Sequence, residues 1–134
     1  GNCETDFTSE DDPRIKDVNL CGGIMSGNGA DGSFRGKWYE PLIDELLETD
    51  YLWHIEGEDA HITAQQLKEQ AEALADLLHS VESDAKHLEQ TLEPETIVYK
   101  TDRMEAEYTY QEIQDLELLL RCASERGAVM VCWW

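Results

Sequence analysis

The sequence predicts an α+β fold: about three helices, one of them long (roughly 63–92), packed on a small sheet that includes the C-terminal strand. Three observations predict it. Two capping boxes, Thr63-Ala-Gln-Gln66 and Thr109-Tyr-Gln-Glu112, each open an apolar repeat of helical period. The run Val-Met-Val-Cys-Trp-Trp at 129–134 has strand composition and is too apolar to sit in water, so it should pair in a sheet. Four Trp and five Tyr supply a core that an acidic disordered chain would lack.

Taken in order, residues 1–17 are polar and acidic, with Glu10-Asp-Asp-Pro13 in the middle, and are expected to form a loose acidic N-terminal arm. Residues 18–134 then make a single globular domain. Val18 to Met25, broken by Gly22-Gly23, is expected as a first short strand. Residues 26–33 form a loop rich in residues that tolerate positive φ. Phe34 to Trp38 resumes an extended segment. The first helix is expected from Pro41, which suits a first helical turn, to about Thr49, with Leu42, Ile43, Leu46 and Leu47 on one stripe. Residues 50–61 connect, anchored by Tyr51, Leu52 and Trp53.

The second helix follows its capping box, with Ile62 and Leu67 as a hydrophobic staple. Leu67, Ala71, Leu74, Leu78, Val81, Ala85, Leu88 and Leu92 alternate steps of four and three and stop before Pro94. Such a helix has about 30 residues and a length near 45 Å. Ile97–Lys100 reads as a short strand and Met104–Tyr110 as extended. The third helix carries Ile113, Leu116, Leu119, Leu120 and Ala123, with Gly127 placed to end it in the left-handed conformation.

Charge is the second message. Thirty acids against ten bases give a formal net charge of −20. Residues 38–98 hold sixteen of the acids and only Lys68 and Lys86 as bases, a net −14. Charge this dense repels itself in a compact state, so it serves either solubility or the meeting of something basic. It disfavours nucleic acid and anionic membrane as direct ligands. No run reaches the ~18 apolar residues of a membrane span. No apolar stretch of the signal-peptide kind follows the N-terminus.

The cysteines, Cys3, Cys21, Cys122 and Cys132, form no C-x-x-C pair. Cys122 lies in a helical pattern and Cys132 in a strand-like one, so reduced structural thiols and a cytoplasmic location are expected, with a disulfide or a metal site as alternatives.

Chemical motifs are few. Gly32-Ser-Phe-Arg-Gly36-Lys37-Trp38 has one residue too few for a phosphate-binding loop and Trp where a magnesium-binding hydroxyl belongs. Asn28 and Asp31 do not make a calcium loop. Asp76/His79 and Asp84/His87 have di-metal spacing but share one helix. His54 and His61 bracket Glu56, Glu58 and Asp59, a cluster able to hold zinc or to titrate, and better read as a solvated loop. No nucleophile–base set can be drawn, so no catalytic residue, metal ligand or cofactor is assigned.

Trp38, Tyr39, Tyr51 and Trp53 among acids have the composition of a binding hot spot, though such rings equally fill small cores. A short, strongly acidic chain without a catalytic set resembles, in type, bacterial antidote or immunity proteins and phage-encoded inhibitors of nucleases. That resemblance implies a small acidic binding protein whose carboxylates mimic nucleic acid and cover a basic partner, such as a toxin or nuclease. Asp44, Glu45, Glu48, Trp53, Glu56, Glu58 and Asp59 are the expected contact surface, with Glu69, Glu72 and Asp76 as a second patch off the apolar stripe. The protein is expected to be a monomer or a dimer. The alternatives are an oligomeric structural or adaptor protein using the 67–92 heptad stripe as a seam between chains, and a metal-dependent enzyme using the His and acid clusters.

Overall fold

The computed structural model describes residues 2–22, 29–48, 60–102 and 105–133. Among these run β1 (Asn2–Glu4), β2 (Ser33–Phe34), α1 (Gly36–Leu47), β3 (Ala60–Ile62), α2 (Ala64–His87), β4 (Ile97–Lys100), β5 (Glu107–Thr109), α3 (Tyr110–Glu125) and β6 (Met130–Trp133). Four strands form an antiparallel sheet in the order β2-β1-β6-β3, while β4 and β5 pair separately. The fold is α+β, and the C-terminal strand lies inside the sheet.

Residues 2–17 are not the loose arm their polarity suggests. β1 is an interior strand, with Cys3 opposite Phe34 on one side and Cys132 on the other. Cys3, Phe7 and Ile15 are buried. The Thr5 and Ser9 amides donate to the carbonyls of Gly32 and Ala30 at 2.8 and 2.7 Å. Gly32 makes this approach possible: its φ is +81°, and a Cβ there would lie 2.2 Å from the Phe7 carbonyl oxygen. The strand expected over 18–25 is reduced to a bridge between Asn19 and Gly29. Residues 23–25 of that stretch lie outside the described residues.

Cys3 and Cys132 are joined by a disulfide across β1 and β6, 129 residues apart in sequence. This corrects the expectation of reduced thiols at those two positions. Register explains it: directly opposed residues of antiparallel strands lie close enough for the bridge. Cys21 and Cys122 are free. Burial pushes the Cys122 thiol up to about 11.

Helix α1 starts five residues earlier than its proline suggests, and the extended segment expected over 34–38 shrinks to its first residue. Tertiary packing overrides the proline signal. Tyr39 is buried between Phe34 and Tyr108, with ring centroids 5.9 and 5.8 Å away. Its hydroxyl donates to Glu112 at 2.8 Å and accepts from the Cys21 amide at 2.8 Å. The Tyr108 hydroxyl donates to the Trp38 carbonyl. These bonds tie Trp38 and Tyr39, in the first turn of α1, to α3, β5 and the Cys21 backbone.

Helix α2 carries the predicted box: Thr63 Oγ1 accepts from the Gln66 amide at 3.2 Å, and Gln66 Oε1 accepts from the Thr63 amide at 2.9 Å. The helix stops at His87, not near 92. Glu89 adopts φ 54°, and the Glu89 and Gln90 amides return to the carbonyls of Lys86 and Ala85. This pair of bonds is a Schellman stop, built on glutamate instead of the usual glycine. Helix α3 ends the same way on Gly127, at φ 69°.

The core gathers Leu42 and Ile43 of α1, Leu67, Ala71, Leu74 and Leu78 of α2, Ile113, Leu116, Leu119, Leu120 and Ala123 of α3, and Phe34, Ile62 and Met130 of the sheet. The regular stripe of α2 is therefore buried inside the chain, chiefly against α3. It is not an open seam for a second copy. Leu88 is exposed and Leu92 half-buried, both beyond the helix end.

Candidate protein-binding surface

Many acids of the flanking segments hold the fold together. Asp12 accepts from the Arg14 guanidinium at 2.8 Å, and Arg14 also reaches Glu125 at 2.6 Å. The Arg14 bonds hold the Asp12 carboxyl down at about 2. Glu112 closes the second capping box on the Thr109 amide while accepting from Tyr39. Asp115 accepts from the Asn19 amide and the Gln111 side chain at 3.0 and 2.9 Å, and burial raises its pKa. Glu117 binds Arg121 at 2.9 Å.

Helix α2 turns a different set outward. At about 100° per residue, Leu67, Ala71, Leu74 and Leu78 share the inner face while Glu69, Glu72 and Asp76 fall on the opposite side. Glu72 and Asp76 are exposed and Glu69 half-buried. A groove runs along each flank of α2. Towards α3 it is lined by Lys68, Ala71, Glu72, Ala75, Glu117, Arg121, Ser124 and Glu125, a mixture of both signs. Towards α1 its described lining is Leu46, Leu47, Glu69, Glu72, Ala73, Asp76 and Leu77, among which every charge is negative. The C-terminal end of α1 adds the negative pole of its helix dipole, with no basic residue in the last turn.

The α1-side groove thus brings together Glu69, Glu72 and Asp76, the second predicted patch. The first patch fares differently. Asp44 is buried and is not part of a presented surface. Glu40, one turn earlier on α1, is buried with it. Glu45 is half-buried and accepts from the Tyr99 hydroxyl at 3.1 Å; burial and this carboxylate push Tyr99 up to about 12. Glu48 is exposed at the end of α1, directly after Leu46 and Leu47, with φ 51°. Trp53, Glu56, Glu58 and Asp59 lie outside the described residues, as do Tyr51 and His54. Of the other predicted aromatics, Tyr39 is core and Trp38 is 37 % exposed beside Tyr108.

The apolar floor of the groove was not foreseen. Ala73 and Leu77, four residues apart, form a second apolar edge beside the α2 stripe, and this spacing was the available signal. Asp76, His79, Asp84 and His87 are all exposed, and among the described residues no group of three or more His, Cys, Asp or Glu is placed to hold a metal ion. No described helix is long and apolar enough to cross a membrane. Comparison with protein families, characterised proteins and solved structures finds no match to this chain.

Proposed function

We propose that the protein is a small acidic binding protein of the inhibitor or antidote type, covering the basic surface of a partner such as a nuclease or toxin. The observation that carries this reading is the α1-side groove, with three carboxylates and no cation among its described lining residues. Carboxylates along one side of α2 would stand in for phosphates. A complementary field of this kind lifts association rates by about 10 to 10³-fold and suppresses wrong partners.

Binding is favoured over catalysis because the most buried described acids are engaged in hydrogen bonds that hold the fold, as at Asp12 and Asp115. Burial of the α2 stripe weighs against the adaptor alternative, since the residues of its seam are already in use. For location, the Cys3–Cys132 disulfide is the better guide than cysteine spacing. Such bridges persist in oxidising compartments, which argues against the cytoplasm.

The test is affinity capture from a lysate of the source, eluted in salt steps, with the native chain and with Glu69→Lys, Glu72→Lys and Asp76→Lys combined. One basic protein held by the native chain and lost by the variant is the expected result. The same proteins captured by both would refute the assignment of this face.

A further inference from the structure

Resting on that reading, we infer that the α1–α2 groove accepts a cationic amphipathic helix of the partner, seating apolar side chains on its floor, and is not a flat electrostatic cover. Two features of the groove lead there. Its described apolar lining, taken here as its floor, is Leu46 and Leu47 of α1 with Ala73 and Leu77 of α2. Its acids, Glu69, Glu72 and Asp76, follow one edge at spacings of three and four, about two helical turns or 10 Å. A helix lying alongside α2 repeats the same interval. Apolar residues at i and i+4 would meet the floor while Lys or Arg one turn apart would meet the acids, the usual arrangement of a helix in a groove.

Charge complementarity selects the occupant. A second copy of this chain brings a net charge of −20 to a groove whose charges, among the described lining residues, are all negative. An acidic or phosphorylated segment would be repelled for the same reason. A cationic segment without apolar residues would satisfy the rim and leave the floor wet. The floor therefore predicts something that pure charge matching does not: affinity that depends on the pattern of apolar residues and survives partly at high salt, where exposed charge pairs are screened.

The probes are two synthetic peptides of about 14 residues, four helical turns, made from the same numbers of Leu and Lys. In one the leucines share a helical face; in the other they are scattered. Calorimetric titration into the native protein should show the amphipathic peptide binding about tenfold tighter, the gain expected of about two buried CH₂ groups, and keeping that advantage when salt is raised from about 50 to about 500 mM. Ala73→Gln, which puts a polar side chain on the floor and keeps a good helix former, should erase the preference. The comparison of peptides on the native protein needs no variant, so it stands even if Ala73→Gln folds poorly. Equal affinity for both peptides, lowered together by Glu69→Gln, Glu72→Gln and Asp76→Asn combined, would overturn the helix inference and keep the acidic face. Binding of both peptides unchanged by that triple variant would overturn both.

Discussion

Asp12 shows how single acids in this chain serve the fold. It caps the short 3-10 turn Pro13–Ile15 by accepting from the Arg14 amide at 3.1 Å, and its carboxylate holds the Arg14 side chain. These bonds lower its pKa from 3.8 to about 2. A carboxyl depressed by folding contributes stability that is present above its unfolded value and lost as pH falls through the folded one. Between pH 6 and pH 2 the native protein should therefore lose more stability than Asp12→Asn. Urea midpoints of both proteins at the two pH values check this, and parallel losses would contradict it. Asp115 works in the opposite sense, since burial raises its pKa and acid relieves rather than removes its contribution. At this scale little was legible. The sequence holds thirty acids, and only folding reveals that Asp12, Glu112 and Asp115 meet specific donors while Glu72 and Asp76 face outward.

At the scale of elements, starts were legible where side chains write them and stops were not. Both capping boxes stand as read, because Thr63 with Gln66 and Thr109 with Glu112 carry their own signal. Gly127 marked the end of α3 for the same reason. The end of α2 was missed because Glu89 takes the left-handed position usually given to glycine. The start of α1 was missed because Pro41 imitates a first turn, and the packing of Tyr39 outweighs it. β1 was missed because three residues, Asn-Cys-Glu, carry no period to read. Glu48 at the end of α1 is a second left-handed glutamate, beside the acidic groove. Left-handed backbone costs a residue with a Cβ about 1 kcal/mol. Glu48→Gly should therefore raise stability by up to about 1 kcal/mol while weakening binding to the basic partner through the lost charge. Denaturation and affinity measured on the same variant separate the two effects. A destabilised variant would show that Glu48 makes contacts worth more than its backbone strain.

For the whole molecule, the disulfide and the net charge act against each other. A charge of −20 repels itself in the compact state. The Cys3–Cys132 bridge closes a loop of 129 residues between two interior strands and limits the freedom of the unfolded chain. Bridges of this kind stabilise by about 2–4 kcal/mol. Reduction, or Cys3→Ser with Cys132→Ser, should lower the melting temperature clearly. Added salt should raise it in both forms by screening the repulsion. A melting temperature indifferent to reductant would show that the sheet holds without the bridge. The class α+β was legible at this scale, because helical and strand periods are separable along the chain. The joining of β1 to β6 was not, since it depends on which strands become neighbours.

Amide chemical-shift mapping, with the amphipathic Lys/Leu helix titrated into the native protein, tests the acidic groove most directly. Shifts concentrated in the last turn of α1 and over residues 69–77 of α2 are the predicted result. Shifts spread evenly over exposed acids, including Glu125 on the α3 side, would contradict it, leaving the charge without a defined binding face.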